Sequence, residues 1–244
     1  MINLFDRYHQ GQYQEVYDEL LSRQEINESE VYNEALLIMQ DLMRRVRYNI
    51  EHIIAHLYDM RYQFGKGGFW ANFADEEKHG KYAIFQPPTP ETQRQVRLLE
   101  QLAGPLPLSL ICWYEEVGSV NLIGLFPSQE REYGSILDPL YVDSIEALLQ
   151  IVTTLKQFDL WEDDPQVILA PDRYHKYGYS GAGAYTIQLP CSAIDAPLLG
   201  EPHHTTFVNY LRICMRWGGF PGLEQECRLS KDELTFLTSG LLPF

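Results

Sequence analysis

Residues 31–64 read VYNEALLIMQDLMRRVRYNIEHIIAHLYDMRYQF and form the longest periodic stretch of the 244-residue chain. Apolar side chains recur in it every three or four residues, the spacing that places them on one face of an α-helix. The members of this stripe are Ala35, Met39, Leu42, Val46, Ile50, Ile53, Leu57, Met60 and Phe64. The pattern predicts one amphipathic helix of about 30 residues, roughly 45 Å long at 1.5 Å per residue. A helix with such a face needs a large apolar surface to pack against, so it constrains the rest of the fold.

The chain up to residue 88 is predicted to be a helical N-terminal segment. A short first helix is indicated by Tyr13, Val16, Tyr17 and Leu20, which repeat at helical spacing. Ser29 is a candidate N-cap of the long helix, and Gly65 ends its pattern. The proline-rich run at residues 87–90 then marks the boundary with a second segment, residues 89–244.

The second segment alternates between helical and strand patterns. Helices are predicted at residues 89–103, 108–117, 144–158 and 207–218, with a capping-box start at Ser230 for a short final helix. Strands are predicted at residues 120–126, 140–142, 167–170 and 184–189. Because these elements do not follow a regular βαβ order, the pattern favours an α+β fold over a doubly wound sheet.

The composition is that of a globular protein, with 45% hydrophobic and 22% charged residues. Asp and Glu number 34 against 19 Lys and Arg, so the net charge is −15. A chain this acidic is repelled by phosphates, which argues against a nucleic-acid partner. No apolar run approaches the roughly 18 residues of a membrane span. The first residues do not resemble a signal peptide, and the four cysteines form no CxxC pair, so we expect a cytoplasmic protein with reduced thiols.

His52 and His56 lie four residues apart on the predicted long helix, a spacing that allows two imidazoles to bind one metal ion. The sequence supplies neither an HExxH glutamate nor an evident third ligand. The alternative is that both histidines flank the apolar stripe as half-buried boundary residues. We therefore predict no metal and no cofactor, and keep the histidine pair as the alternative.

The glycine run at residues 178–183, and Cys191 with His203 or His204, can each be interpreted either as a functional site or as ordinary structure. The glycine run at residues 178–183 leads into an apparent strand at 184–189, whereas a phosphate-binding loop leads into a helix. It is therefore predicted to be a hairpin connection. Cys191 with His203 or His204 could form a nucleophile pair, but no elbow motif surrounds the cysteine, which favours an ordinary loop.

Two stretches that mix aromatic and charged residues form the predicted partner-binding surface. They contribute Trp161, Glu162, Asp163 and Asp164, and then Asp172, Tyr174, His175 and Tyr177. Aromatic side chains with polar neighbours are typical of binding hot spots. The alternative also stays open: Tyr174 and Tyr177 cover the edge of a sheet, and Lys176 offsets nearby acidic residues.

A family resemblance is carried by residues 105–126, PLPLSLICWYEEVGSVNLIGLF. Leu106-Pro107, the aromatic pair Trp113-Tyr114, Gly118 and Leu122-Ile123-Gly124 follow one another in an order that resembles the SUKH superfamily. The likeness spans residues 89–190 and also includes Leu98-Leu99-Glu100, Tyr141-Val142, Ile168 to Asp172, Ser180-Gly181 and Tyr185.

The chain departs from the superfamily pattern in two places. Residues 1–64 are extra to its core, and Gly118-Ser119 stands where Asn-Gly-Gly is commoner. With residues 207–222, FVNYLRICMRWGGFPG, and the closing LLPF, the whole chain resembles a group of bacterial proteins with an N-terminal helical extension.

The resemblance implies an α+β domain with a bent, mainly antiparallel sheet backed by helices. Many bacterial members are regarded as immunity proteins that bind and neutralise toxins, often nucleases, and others as adaptor modules. No catalytic residues come with the family. The expected function is therefore non-enzymatic binding of a protein partner, with a basic toxin as the expected partner.

The charge distribution agrees with a basic partner, because residues 89–244 carry 20 acidic and only 10 basic side chains. Two other functions stay open. One is a metal-dependent enzyme that uses His52 and His56. The other is a scaffold that forms homo-oligomers through the long helix, whose stripe is regular enough to make a self-associating seam.

Overall fold

The computed structural model describes residues 3–22, 29–66, 83–127, 137–162, 165–179 and 183–244. Its helices are α1 (Leu4–His9), α2 (Tyr13–Ser22), α3 (Ser29–Asp59), α4 (Thr92–Ala103), α5 (Leu108–Cys112), α6 (Ile145–Gln157), α7 (Phe207–Arg216) and α8 (Lys231–Leu237). A π-helical turn, Trp113–Val117, continues α5, and short 3-10 turns lie at His175–Tyr177 and Pro221–Glu224. The strands are β1 (Gln63–Phe64), β2 (Phe85–Gln86), β3 (Ser119–Asn121), β4 (Gly124–Leu125), β5 (Tyr141–Val142), β6 (Gln166–Pro171) and β7 (Ala184–Gln188). Among the helices within these ranges, none has the length and apolar character that crossing a membrane requires.

The strands of the described residues pair only in antiparallel fashion, and they confirm the α+β class. They form three small sheets in the orders β1-β4, β2-β3-β5 and β6-β7. The amide of Asp143 donates to the carbonyl of Leu169 at 2.8 Å, which connects the end of β5 to β6. The predicted strand at 120–126 is split into β3 and β4, because the Asn121 side chain accepts a hydrogen bond from the Ile123 amide at 3.0 Å and turns the chain.

The predicted long helix is confirmed as α3, which is 31 residues long. It ends at Asp59, earlier than predicted, because Arg61 adopts a positive φ of 58° and Phe64 lies in β1. Its stripe from Ala35 to Leu57 is fully buried, and the helix contacts α1, α5, the π-helical turn, α7 and α8. Asn49 lies on this buried side and exchanges two hydrogen bonds with the backbone of Leu242, at 2.9 and 2.7 Å. The stripe is thus covered by the helix's own chain and is not an exposed seam.

One apolar core contains residues from both predicted segments. A buried polar contact also crosses between them: the Tyr17 hydroxyl of α2 donates to Asp195 Oδ2 at 2.6 Å. The same carboxylate accepts hydrogen bonds from the amides of Ala196 and Val208, at 3.0 and 3.1 Å. Asp195 therefore joins α2 to the start of α7. The boundary at residues 88 and 89 stays a prediction.

The capping signals in the sequence act as predicted at two helix starts. Ser144 accepts a hydrogen bond from the Ala147 amide at the start of α6, and Ser230 forms a complete capping box with Glu233 at the start of α8. Helix α4 differs, because it begins at Thr92 instead of directly after Thr89. There the Thr92 hydroxyl accepts the Thr89 amide at 2.9 Å.

We expect Gly118→Ala to destabilise the fold much more than Gly65→Ala. Both glycines have positive φ, +97° and +72°, where a side chain costs about 1–2 kcal/mol. A methyl group on Gly118 would also overlap the carbonyl oxygen of Gln86 in β2, whereas no described atom lies within 4 Å of one on Gly65. Forcing that overlap adds about 1–3 kcal/mol. Urea unfolding of the two variants measures the difference, and equal losses would contradict the close β2–β3 approach.

We expect Tyr17→Phe to lower the free energy of unfolding by about 1.5–3 kcal/mol near pH 7, because it removes a hydrogen bond to a carboxylate. Burial raises the pKa of Asp195, and the Tyr17 hydroxyl partly lowers it. In the variant the pKa of Asp195 rises further. The loss of stability is therefore full at pH values above both pKa values and shrinks as the pH falls and the carboxyl becomes protonated in both proteins. Urea unfolding at several pH values tests this, with the exposed Tyr58→Phe as control. A loss that does not vary with pH would contradict it.

Candidate functional site

The second stretch of the predicted partner-binding surface forms a turn between β6 and β7. Asp172 Oδ1 accepts hydrogen bonds from the amides of Tyr174 and His175, at 3.1 and 2.8 Å. Its other oxygen accepts the Gly183 amide at 2.7 Å. Asp172 thus links the two ends of the turn, and its side chain is only 15% exposed. Because β6 and β7 pair as antiparallel neighbours, the glycine run connects a hairpin, as predicted.

A buried ion pair between Lys176 and Asp138 fixes this turn to the protein interior. Lys176 Nζ lies 2.5 Å from Asp138 Oδ1, and the two side chains are 0% and 2% exposed. The Tyr185 hydroxyl donates to the other oxygen of Asp138 at 2.7 Å, and the ammonium group lies 4.8 Å from the centre of the Tyr185 ring. Burying two charges costs free energy unless their hydrogen bonds are also satisfied. Here both carboxylate oxygens are satisfied, so the pair holds the turn to the segment before β5.

Tyr177 belongs to the same anchor. Its ring is buried, and its hydroxyl donates to the carbonyl of Gly124 in β4 at 3.1 Å. Burial, and secondarily the negative charge of Asp138, raises the pKa of Tyr177 and of Tyr185 far above the ordinary value. Both phenols therefore stay protonated and act as hydrogen-bond donors. Tyr177 was predicted to lie on the partner-binding surface, but its ring is buried.

Tyr174 and His175 are exposed, as a contact surface requires. The Arg173 guanidinium lies 4.7 Å from the centre of the Tyr174 ring. It also donates to the Tyr174 hydroxyl at 2.8 Å and to Gln225 at 2.9 Å. Tyr179, outside the predicted set, is 46% exposed beside Tyr174, which is 45% exposed. The turn therefore displays two tyrosines on an anchored backbone.

The first predicted stretch lies at the end of α6. Trp161 is half-buried with its ring 4.9 Å from Lys156 Nζ, and Glu162 is exposed. Asp163 and Asp164 lie outside the described residues. Phe158 and Leu160 precede this stretch and are 65% and 62% exposed. Trp161 therefore packs on the last turn of its own helix.

His52 and His56 are each engaged with the backbone. His52 Nδ1 lies 3.1 Å from the Tyr48 carbonyl oxygen, and His56 Nδ1 lies 3.2 Å from that of Leu237. The two ring centres are 6.3 Å apart. Within the described ranges, no group of three or more His, Cys, Asp or Glu side chains is placed to hold a metal ion. The pair thus gains no third ligand from the described part of the fold.

His203 bridges two carboxylates. Its Nδ1 lies 3.0 Å from the fully buried Glu201, and its Nε2 lies 2.7 Å from Glu224. Glu201 also accepts hydrogen bonds from the amides of His203 and Thr205, at 2.7 and 2.6 Å. Because both ring nitrogens already have partners, His203 is not placed to serve as a base for Cys191. The arrangement fastens the loop before α7.

Comparisons of the chain with protein-family models, with curated proteins and with solved structures find no match. The likeness to the SUKH superfamily therefore rests on the residues quoted above and remains an expectation.

The Lys176–Asp138 pair was not predicted. The two residues are 38 positions apart in the chain, and no local pattern points from one to the other. The sequence left open that Lys176 offsets nearby acidic residues, but it names no partner for the lysine. Tyr179 had the clearer signal, because it lies two residues beyond Tyr177 in the same aromatic stretch.

We expect Lys176→Met to lower the free energy of unfolding by about 3–5 kcal/mol, because it leaves the Asp138 carboxylate buried without its cation. Adding Asp138→Asn to this variant should recover part of the loss, since the amide oxygen can still accept from Tyr185. A double-mutant cycle by urea unfolding measures the coupling. Arg94→Met, which breaks an exposed ion pair with Glu91, serves as control and should change stability by less than about 0.5 kcal/mol. Additive losses would contradict the pairing.

Proposed function

We propose that this protein is a non-enzymatic binding module of the immunity type, which binds and neutralises a basic toxin in the cytosol. The observation that best supports this is the turn between β6 and β7. Lys176, Tyr177 and Asp172 hold it from inside, and Tyr174 and Tyr179 project from it. Aromatic side chains on an anchored loop are typical of binding hot spots.

The anchoring matters because binding is opposed by the ordering of loops and side chains. Each mobile side chain that becomes fixed costs about 0.5–1.5 kcal/mol. Asp172 already fixes the backbone at Tyr174 and His175. Arg173 holds the Tyr174 ring through a stacking contact and a hydrogen bond. Less free energy is therefore lost when a partner covers these tyrosines.

The charge of the chain supports a basic partner. A net charge of −15 attracts positively charged proteins over several ångströms and speeds their association. The segment that contains the turn is also the more acidic of the two predicted segments, with 20 acidic and 10 basic side chains in residues 89–244. Proteins that cleave nucleic acids need basic surfaces, which makes nuclease toxins suitable partners.

No observation favours the two alternatives over this proposal. His52 and His56 each use one ring nitrogen on a backbone carbonyl. The apolar stripe of α3, which would form the seam of a scaffold, is covered by α5, α7 and α8.

We expect the double variant Tyr174→Ala/Tyr179→Ala to lose at least about 100-fold in affinity for the toxin partner, because two hot-spot rings contribute about 3 kcal/mol together. The partner is the basic protein that co-purifies with the chain from its native host, produced separately for titration calorimetry. The matched control is Tyr32→Ala/Tyr58→Ala, which removes two tyrosines from α3 that are 41% and 59% exposed. This control should bind like the unmodified chain.

Protection of cells in a toxin co-expression assay provides the functional readout. The unmodified chain and the α3 control should protect, and the turn variant should not. Recovery of no basic partner together with no protection would overturn the immunity function. If the turn variant binds the partner with full affinity, the partner does not bind at the turn.

A further inference from the structure

A cleft of about 580 Å³ lies between the proline-rich run after β2, the π-helical turn and the start of α6. One wall is apolar and stiff, being made of Phe85, Pro87, Pro88 and Pro90. Tyr114, Gly118, Ser119, Ser144, Ile145 and Glu146 also line the cleft. Its volume is within the range of about 300–1,000 Å³ that ligand pockets occupy. Nothing in the binding turn between β6 and β7 contributes to its lining.

Tyr114 brings an unpaired hydrogen-bond donor to this cleft. Its side chain is fully buried, and its hydroxyl has no hydrogen-bond partner among the described residues. Burial raises the pKa of Tyr114, and the negative charges of Asp143 and Glu146 raise it further. The group is therefore a neutral O–H that requires an acceptor. A buried donor without an acceptor costs free energy, so a ligand that supplies one is favoured.

The charge beside this donor is negative. Glu146 is exposed at the cleft, and its Oε1 accepts a hydrogen bond from Gln95 at 2.8 Å. Asp143, the residue before the α6 cap, is half-buried and accepts a hydrogen bond from the Tyr141 hydroxyl at 2.7 Å. Among the described residues that line the cleft there is no Lys, Arg or His. The cleft thus combines a donor, a negative field and an apolar wall.

We propose that this cleft binds an extended peptide segment that carries an arginine or lysine. A backbone carbonyl of the segment accepts a hydrogen bond from the Tyr114 hydroxyl, and the cationic group pairs with Glu146. The aliphatic part of the basic side chain packs on Phe85 and the prolines, which present a rigid surface. The cleft would thus be a second contact site for the proposed partner. The inference rests on the proposed function in one respect, that the segment belongs to a basic partner protein.

The test uses N-acetyl-arginine N-methylamide, which supplies a carbonyl and a cation, with N-acetyl-norleucine N-methylamide as the uncharged control. Titration of the full ¹⁵N-labelled chain should give saturable shifts at Ser119, Ile145 and Glu146. We expect the arginine probe to bind about tenfold more tightly than the norleucine probe, which corresponds to about 1.4 kcal/mol. Shifts that do not saturate, or equal binding of both probes, would overturn the proposal.

Two variants separate ligand binding from folding. Tyr114→Phe keeps the ring and removes the unpaired hydroxyl, so it should melt at the same temperature as the unmodified chain or higher, and bind the arginine probe about fivefold more weakly. Glu146→Gln should weaken the arginine probe and leave the norleucine probe unchanged. Asp159→Asn is the matched control, since it makes the same charge change at an exposed residue outside the cleft. Unchanged probe binding in Tyr114→Phe and Glu146→Gln would overturn the assignment of these contacts.

The outcome is distinguishable from that of the proposed function, because the probes are measured without any partner protein. Probe binding that persists in Tyr174→Ala/Tyr179→Ala supports a separate cleft site. Probe binding lost in that variant would overturn the separation of the two sites. A chain that protects cells but binds neither probe would retain the immunity function and lose this inference.

Discussion

The structure depends above all on covering the apolar face of α3. Ala35 and Leu57 lie about six helical turns apart at roughly 3.6 residues per turn. Every position of the apolar stripe between them is buried. Surface of that extent requires several elements to cover it, and α1, α5, the π-helical turn, α7 and α8 do so. Helices from both ends of the chain thus pack around α3.

The two proposed binding regions treat buried polar groups in opposite ways. At the turn between β6 and β7, the charges of Lys176 and Asp138 satisfy each other, and Tyr185 completes the set. The result is a fixed backbone from which exposed rings project. At the cleft, the Tyr114 hydroxyl has no acceptor among the described residues. A satisfied buried group stabilises the fold alone, whereas an unsatisfied one favours a ligand that completes it.

Negative charge connects the two regions. The overall charge of −15 favours encounter with a basic protein from any direction. Individual acidic residues act locally. Asp172 links the two ends of the turn, and Glu146 and Asp143 make the surroundings of Tyr114 negative. The net charge of the chain and the local charge beside the cleft are therefore both negative. A cationic segment attracted by the whole chain meets a cleft that also favours a cation.

The sequence by itself determined the helix α3, the caps at Ser144 and Ser230, and the hairpin between β6 and β7, because periodicity and capping are local patterns. Only the tertiary structure decided that Lys176 pairs with Asp138, that Tyr177 is buried, and that Tyr114 meets the cleft without a partner. These facts depend on which distant segments pack together around α3. A residue's neighbours in space, unlike its position on a helix, are not encoded within a few residues of it.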